Sequence, residues 1–322
     1  MKRNDFFKAG LVAALGLDSL VARGIRASEQ KTPGPLPRRP LGRTGEYLSV
    51  IGLGGVTLMD EPQAHCNDLV AECFAAGVNY FDVAPTYGNA QDRLGPALEP
   101  YRSRVFLACK TAERDRAAAE NELNTSLEKL RTDYLDLYQI HGIKDREEVE
   151  KVFGPDGALE TFVKAKEQGK VRYLGFSAHS VEAAFYAMEH YAFDTILFPF
   201  NYNLWFKEQF GPQVMEKAHG KGMGLLALKS CAHSARAKGE KSQYNKCWYR
   251  PLDTEEALAR GLYFTLSLPV TAALPPGEEQ FFRMALKLAV AFVPLDESEK
   301  NELAVQAQSV ENSLFSYPAW QG

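Results

Sequence analysis

The segment GVNYFDVAPTYGNAQDRLG, residues 77–95, sets a carboxylate, Asp82, at the end of an apolar run and a phenol, Tyr87, in the turn beyond it. Aspartate is depleted in strands and a buried carboxylate is costly without a partner, so a cation is expected nearby. Two further residues end comparable apolar runs: Lys110 closes VFLACK and His141 closes LDLYQIH. Together these four types can move a proton. A tyrosine, with an ordinary pKa of about 10, is a poor acid near neutral pH. A neighbouring ammonium stabilises its phenolate and lowers that pKa, and a carboxylate keeps the ammonium charged and oriented. A neutral histidine can donate a hydrogen bond to a carbonyl and fix its angle. The set suits protonation of an oxygen as a carbonyl is reduced. Taken singly, each residue has a plainer use: Asp82 as a cap or loop anchor, Tyr87 as a loop aromatic, Lys110 as a solvated strand-end charge, His141 as a turn histidine.

For four residues spread over 60 positions to meet, their strand ends must be neighbours. Short apolar runs predict strands at 48–55, 79–84, 105–110, 135–141, 171–177, 195–200, 224–228 and 270–274. Between them, 3.6-residue periodicity predicts helices at 65–76, 92–99, 120–130, 158–168, 181–190, 212–220, 254–267 and 280–292, with an extra C-terminal helix at 297–310. Thr44 and Gly45 in LGRTGEY suit the turn of a short N-terminal hairpin. Eight strand–helix units close a barrel, and chemistry then belongs at the C-terminal ends of the strands. A doubly wound sheet is the rival, but GLGGVTLMD after the first strand fits its GxGxxG turn only loosely. The fold class expected is therefore α/β, a (β/α)8 TIM barrel.

The segments GVNYFDVAPTYG, ACKT, SLEKLRTDYLDLYQIHG and VRYLGFSAHS carry a resemblance to the aldo-keto reductase family that extends over residues 41–310. It implies a nicotinamide cofactor lying over the barrel mouth, a tetrad of Asp82, Tyr87, Lys110 and His141, and Tyr87 as the general acid in reduction and the base in reverse. The cofactor contacts it implies depart from the family pattern. Ser177 is kept after strand five, but Ala178 stands where an asparagine would follow, and Asn201 is the available amide after strand six. In LALKS, Ser230 stands at a phosphate-contact position and Lys229 where an aromatic often stacks on the ring. LPPGEEQFFRMALK keeps Arg283 at the 2′-phosphate position but offers Gly277 and Glu278 in place of a lysine and serine. Arg283 favours NADP, with NAD open, because a carboxylate repels a phosphate. The implied partner is a small aldehyde, ketone, sugar carbonyl or the corresponding alcohol.

The remaining composition narrows the alternatives. A chain of 322 residues with 45% hydrophobic and 24% charged residues can build a large core. A net charge of −4 gives no general attraction to nucleic acid. Five scattered cysteines without a CxxC pair suggest neither a disulfide framework nor a metal site. MKRNDFFKAGLVAALGLDSLVARGIRAS resembles a twin-arginine export signal, with Lys2 for the first arginine and Asp18 interrupting an apolar run too short to span a bilayer. Residues 1–28 thus read as a signal directing the chain to the periplasm, or alternatively as an amphipathic surface helix of a cytoplasmic protein. Residues 29–40 read as a linker and 41–322 as one barrel domain.

The insertion at 231–253 carries Arg236, Lys238, Lys241, Lys246 and Arg250 among Tyr244, Trp248 and Tyr249. It reads either as a solvated loop or as a lid whose cations neutralise cofactor phosphates. The segments GIKDREEVEKVFGPDG and SLFSYPAWQG are candidates to shape the substrate pocket, with Tyr317 and Trp320 either facing substrate or packing the tail. Two other function classes compete with a reductase. One is a non-catalytic nucleotide-binding barrel serving as a redox sensor or subunit; the other is a redox-neutral enzyme with a permanently bound cofactor.

Overall fold

The computed structural model describes residues 36–317. The expected export signal, most of the expected linker and Trp320 lie outside the described residues. A hairpin comes first, with β1 (Arg38–Pro40) antiparallel to β2 (Tyr47–Ser49). Its turn is tied by Thr44 Oγ1 donating to Leu41 O at 2.6 Å, with Gly45 at a φ of 83°. Within the span expected as a linker, Arg38–Pro40 form β1. Arg39 fixes it there by donating to the carbonyls of Leu266, Leu268 and Val270.

Parallel strands follow as β3 (Leu53–Gly54), β4 (Tyr80–Asp82), β5 (Phe106–Thr111), β6 (Leu135–Ile143), β7 (Val171–Ala178), β8 (Thr195–Pro199) and β9 (Gly224–Leu228). A small antiparallel pair, β10 (Ala232–Ser234) and β11 (Arg250–Pro251), precedes the eighth strand, β12 (Ala272–Ala273). Each barrel strand pairs with its successor in the chain. The ring is completed by a parallel bridge between Ile51 and Ala273, with Ala273 N–H donating to Val50 O at 2.9 Å and Gly52 N–H to Ala273 O at 3.0 Å. This is the (β/α)8 barrel the eight units called for.

The helices are α1 (Gln63–Ala75), α2 (Ala90–Leu98), α3 (Arg116–Lys129), α4 (Arg146–Phe153), α5 (Ala158–Glu167), α6 (Val181–His190), α7 (Tyr202–Phe206), α8 (Pro212–Gly220), α9 (Glu255–Ser267), α10 (Glu279–Val290) and α11 (Glu297–Gln308). Several begin at a side-chain cap: Asp115, Asp145, Ser180, Thr254 and Asp296 each accept an N–H of the first turn. Two apolar layers result. Leu53, Val83, Leu107, Ile140, Phe176 and Phe198 pack with the helices, while Tyr80, Phe106, Ala108, Leu137, Leu197, Leu226 and Ala272 fill the barrel interior.

Three expectations change. The single strand expected over 48–55 is two short ones, because Ser49 ends the hairpin by donating its hydroxyl to Ile51 O at 2.8 Å before the barrel strand starts. The segment after β6 expected as a loop contains α4, capped by Asp145 and favoured by Glu147 and Glu148 in its first turn. A short helix, α7, follows β8, with Asn201 at its cap.

Candidate active site

Side chains alternate between the two faces of a barrel strand, so a residue two beyond an interior position also faces the interior, one layer nearer the mouth. Tyr80 leads in this way to Asp82, Ala108 to Lys110, and Leu137 through Gln139 to His141. The structure thereby brings Asp82, Lys110 and His141 together, and Tyr87 joins them from the turn before α2. Lys110 Nζ pairs with Asp82 Oδ1 and lies 3.4 Å from the Tyr87 hydroxyl. The edges of the Tyr87 and His141 rings meet at a centroid distance of 5.7 Å and an angle of 85°.

The pair is deeply placed, Lys110 being 0% and Asp82 1% exposed. A buried ion pair requires further hydrogen bonds to offset the loss of water. Asp82 Oδ2 has them: it accepts from Gln139 Nε2 at 3.1 Å and from the Tyr80 hydroxyl at 3.2 Å. Neither residue was singled out by the sequence, although both lie two positions from a strand-end residue and so share its face. Thr86 is a further addition, its Oγ1 being 3.4 Å from His141 Nδ1.

Burial would lower the Lys110 pKa, but Asp82 and then Tyr87 more than reverse this, and the ammonium stays charged. Burial, followed by the charge of Lys110, pushes His141 down to about 2, so its imidazole is neutral. Tyr87 departs from expectation. Burial raises its pKa above the ordinary phenol value despite the downward pull of Lys110, and Asp82 adds to the rise. The ammonium is already shared with a carboxylate, so its pull on the phenol is partly cancelled.

The expected cofactor residues behave differently from the tetrad. Ser177, next to the last residue of β7, accepts the N–H of Gly142, the neighbour of His141, on its Oγ at 2.7 Å. Asn201 is occupied locally, its Oδ1 accepting from Leu204 N–H at 2.9 Å and its Nδ2 donating to Lys229 O at 3.1 Å. Ser230 is fully buried and its hydroxyl is 3.5 Å from Leu274 O. Gly277 lies under the insertion, where an added Cβ would come within 2.6 Å of Val56 Cγ1 and 2.9 Å of Lys246 O. Arg283 is paired with Glu72 at 2.6 Å and with Glu279 at 2.7 Å. Lys229 instead sits against the insertion, 5.0 Å from the Trp248 ring centre and 4.7 Å from that of Tyr249.

The insertion is tied down rather than solvated. Lys246 donates to Thr57 O at 2.8 Å and Glu61 Oε1 at 2.7 Å, and its N–H donates to Glu278 Oε1 at 2.7 Å. Arg236 turns to the carbonyls of Tyr244, Cys247 and Tyr249, and Arg250 pairs with Glu240 at 2.6 Å. Three of the five cations expected to meet phosphates are thus held by the chain's own groups; Lys238 and Lys241 are exposed. The donor set fits a nicotinamide at the reaction end, where a neutral histidine and a phenol flank Lys110. At the other end a 2′-phosphate fits poorly, because two carboxylates already hold Arg283. Among the described residues no group of three histidine, cysteine or carboxylate side chains could hold a metal, and no helix is long and apolar enough to cross a membrane.

Residues 50–268 match the model of the Aldo/keto reductase family, and the chain belongs to that family. Its relatives include the uncharacterized oxidoreductase YqkF of Bacillus subtilis (strain 168), 30% identical over 155 residues, or 44% of this chain and 48% of the relative. L-galactose dehydrogenase of Arabidopsis thaliana is 32% identical over 171 residues, 47% of this chain and 51% of the relative. The chain therefore spans about half the length of these curated relatives. Among solved structures, aldo-keto reductase AKR11C1 from Bacillus halodurans in its holo form superposes with a TM-score of 0.67 at 19% identity, covering 88% of this chain and 99% of that one. Aldo-keto reductases are oxidoreductases that use nicotinamide cofactors.

Proposed function

We propose that this chain reduces the carbonyl of an aldehyde, ketone or sugar, or oxidises the matching alcohol, with Tyr87 as the proton-transferring residue. A nicotinamide, when bound at this mouth, would supply a hydride to the carbonyl carbon. As that carbon accepts the hydride, the C=O π pair moves to oxygen and Tyr87 delivers its phenolic proton there. The phenolate left on Tyr87 is stabilised by the Lys110 ammonium, which Asp82 holds in place with Gln139 and Tyr80 behind it. Neutral His141, with Thr86 Oγ1 at 3.4 Å from its Nδ1, donates a ring N–H hydrogen bond to the substrate oxygen and orients it. The observation that carries this reading is Lys110 Nζ held between Asp82 and the Tyr87 hydroxyl, 3.4 Å away, beside a neutral His141.

Tyr87→Phe tests it. Removing the proton donor is expected to lower kcat by roughly 10²–10⁴-fold while the nucleotide still binds. Retained turnover would remove Tyr87 from the reaction. Because Arg283 is committed to Glu72 and Glu279, we infer that NAD is accepted at least as readily as NADP. Tighter binding of NADPH than NADH would contradict that.

Lys246, fastened to Glu61 and Thr57, supports a second reading in which the cofactor stays bound through turnover. Mass spectrometry of small molecules released from protein purified without added nucleotide would then find a nicotinamide; an empty supernatant would count against retention. Export to the periplasm is proposed from residues 1–28 alone, and cell fractionation of the full chain beside Arg3→Lys tests it. Cytoplasmic recovery of both would contradict export.

A further inference from the structure

We propose that Lys229 forms an anion subsite that selects carbonyl substrates bearing a carboxylate away from the reacting carbon, an inference that rests on the carbonyl-oxidoreductase reading above. The backbone at Lys229 breaks the pattern of its strand. Interior residues of β9 continue through Leu226 and Leu228, so strict alternation would turn position 229 toward the helices. Instead Lys229 adopts a φ of 61°, a left-handed conformation that is costly for a residue with a Cβ. It is held there by its own carbonyl, which accepts from Asn201 Nδ2 at 3.1 Å and from Ala232 N–H at 3.0 Å. Two unrelated elements thus maintain one strained residue.

The side chain lies against two adjacent rings of the insertion, which continue into an aromatic wall from two other parts of the chain. Its ammonium is 5.0 Å from Trp248 and 4.7 Å from Tyr249. Trp248 meets Phe315 of the C-terminal tail at 6.3 Å, and Phe315 stacks on His179 at 5.0 Å and 14°. Such rings can pack the apolar body of a small ligand, and Trp248 is 56% exposed, leaving the wall open to solvent. Three other cations near the strand ends are matched, Lys110 by Asp82, Arg114 by Glu148 at 3.1 Å, and Lys246 by Glu61 at 2.7 Å, while Lys144, just past β6, has no ion pair among the described residues. Among the described residues Lys229 has no carboxylate within 4.0 Å.

An ammonium partly removed from water and left without an anion is unfavourable, and a ligand carboxylate would relieve it. Burial, opposed by Cys247 and reinforced by Lys110, brings Lys229 down to about 8, so it remains mostly charged at neutral pH. His179 and His141 are both held neutral, chiefly by burial, so neither competes for the anion. Lys229 directly follows β9, at the same end of the barrel where β4, β5 and β6 present Asp82, Lys110 and His141, which favours substrate over the distant end of the cofactor as the source of the anion.

The test compares 4-carboxybenzaldehyde with 4-methylbenzaldehyde on the wild type, Lys229→Met and the charge-keeping Lys229→Arg. The ratio of kcat/KM for the acid over the neutral aldehyde is expected to fall about tenfold or more in Lys229→Met, the loss of one charge-assisted hydrogen bond, and to be largely restored in Lys229→Arg. An equal ratio in all three proteins would overturn the proposal. Calorimetric titration with benzoate against benzamide reads the same preference without turnover. If the wild type reduces neither aldehyde with NADH or NADPH, the catalytic reading fails, and the titration still decides the subsite. Weaker NADH binding in Lys229→Met with an unchanged benzoate preference would place the ammonium on a cofactor phosphate and overturn the proposal.

Discussion

Asp82, Lys110 and Tyr87 share one positive charge among three groups, and the sharing has a cost in each direction. Asp82 keeps Lys110 charged inside the barrel, yet by doing so it weakens the pull of the ammonium on the phenol, whose pKa stays above its ordinary value. Removing the cation should therefore cost stability as well as chemistry. Lys110→Met leaves Asp82 buried and unpaired, which is expected to destabilise the fold by about 3–5 kcal/mol in urea denaturation and abolish turnover. A second residue-scale prediction concerns acid. His141 titrates at about 2 and His179 at about 4 in the folded chain, both below the ordinary histidine value of 6.5. Above about pH 6.5 both are neutral folded or unfolded. As pH falls below that value the unfolded chain takes up protons that the folded chain refuses, so stability declines, by at most about 1.4 kcal/mol per pH unit for each histidine. Urea midpoints measured at pH 7, 5.5 and 4.5 should fall, and should fall less in His179→Asn.

At the scale of elements, strands and amphipathic helices were legible because apolar periodicity records which face is buried. Helices α6 and α8 and strand β9 fall where periodicity puts them. The meeting of Asp82, Lys110 and His141 was legible for the same reason, since each ends an apolar run. What stayed hidden depends on partners far along the chain. Gln139 and Tyr80 look like ordinary strand residues until Asp82 is known to lie beside them. Arg283 reads as a phosphate ligand until Glu72, on another helix, is seen to hold it. The insertion between β9 and α9 likewise reads as loose until Lys246 is seen to cross to Glu61. Lys246→Met should free that segment. Cleavage within 235–250 by a protease should quicken, and release of bound nucleotide should speed up roughly tenfold, as expected for one charge-assisted hydrogen bond of about 1.5 kcal/mol. Unchanged cleavage and release would mean that the loop is held by its other contacts.

The whole molecule is a ring whose last strand must find its first. β12 meets the chain before β3 through Ile51 and Ala273, and Arg39 clasps the hairpin to Leu266, Leu268 and Val270 just ahead of β12. Arg39→Ala removes three charge-assisted bonds across this seam and is expected to lower stability by about 2–4 kcal/mol in a denaturant titration without altering substrate preference. Ring closure in turn holds the ends of β4, β5 and β6 side by side, and on that placement the proposed chemistry depends. The decisive measurement is hydride tracing with NADH deuterated at both C4 positions and an aromatic aldehyde as acceptor. The wild type should deliver one deuterium to the carbinol carbon of the product, and Tyr87→Phe, still binding NADH, should deliver it roughly 10²–10⁴-fold more slowly. Unlabelled alcohol from the wild type, or label transfer by Tyr87→Phe at the wild-type rate, would contradict the account.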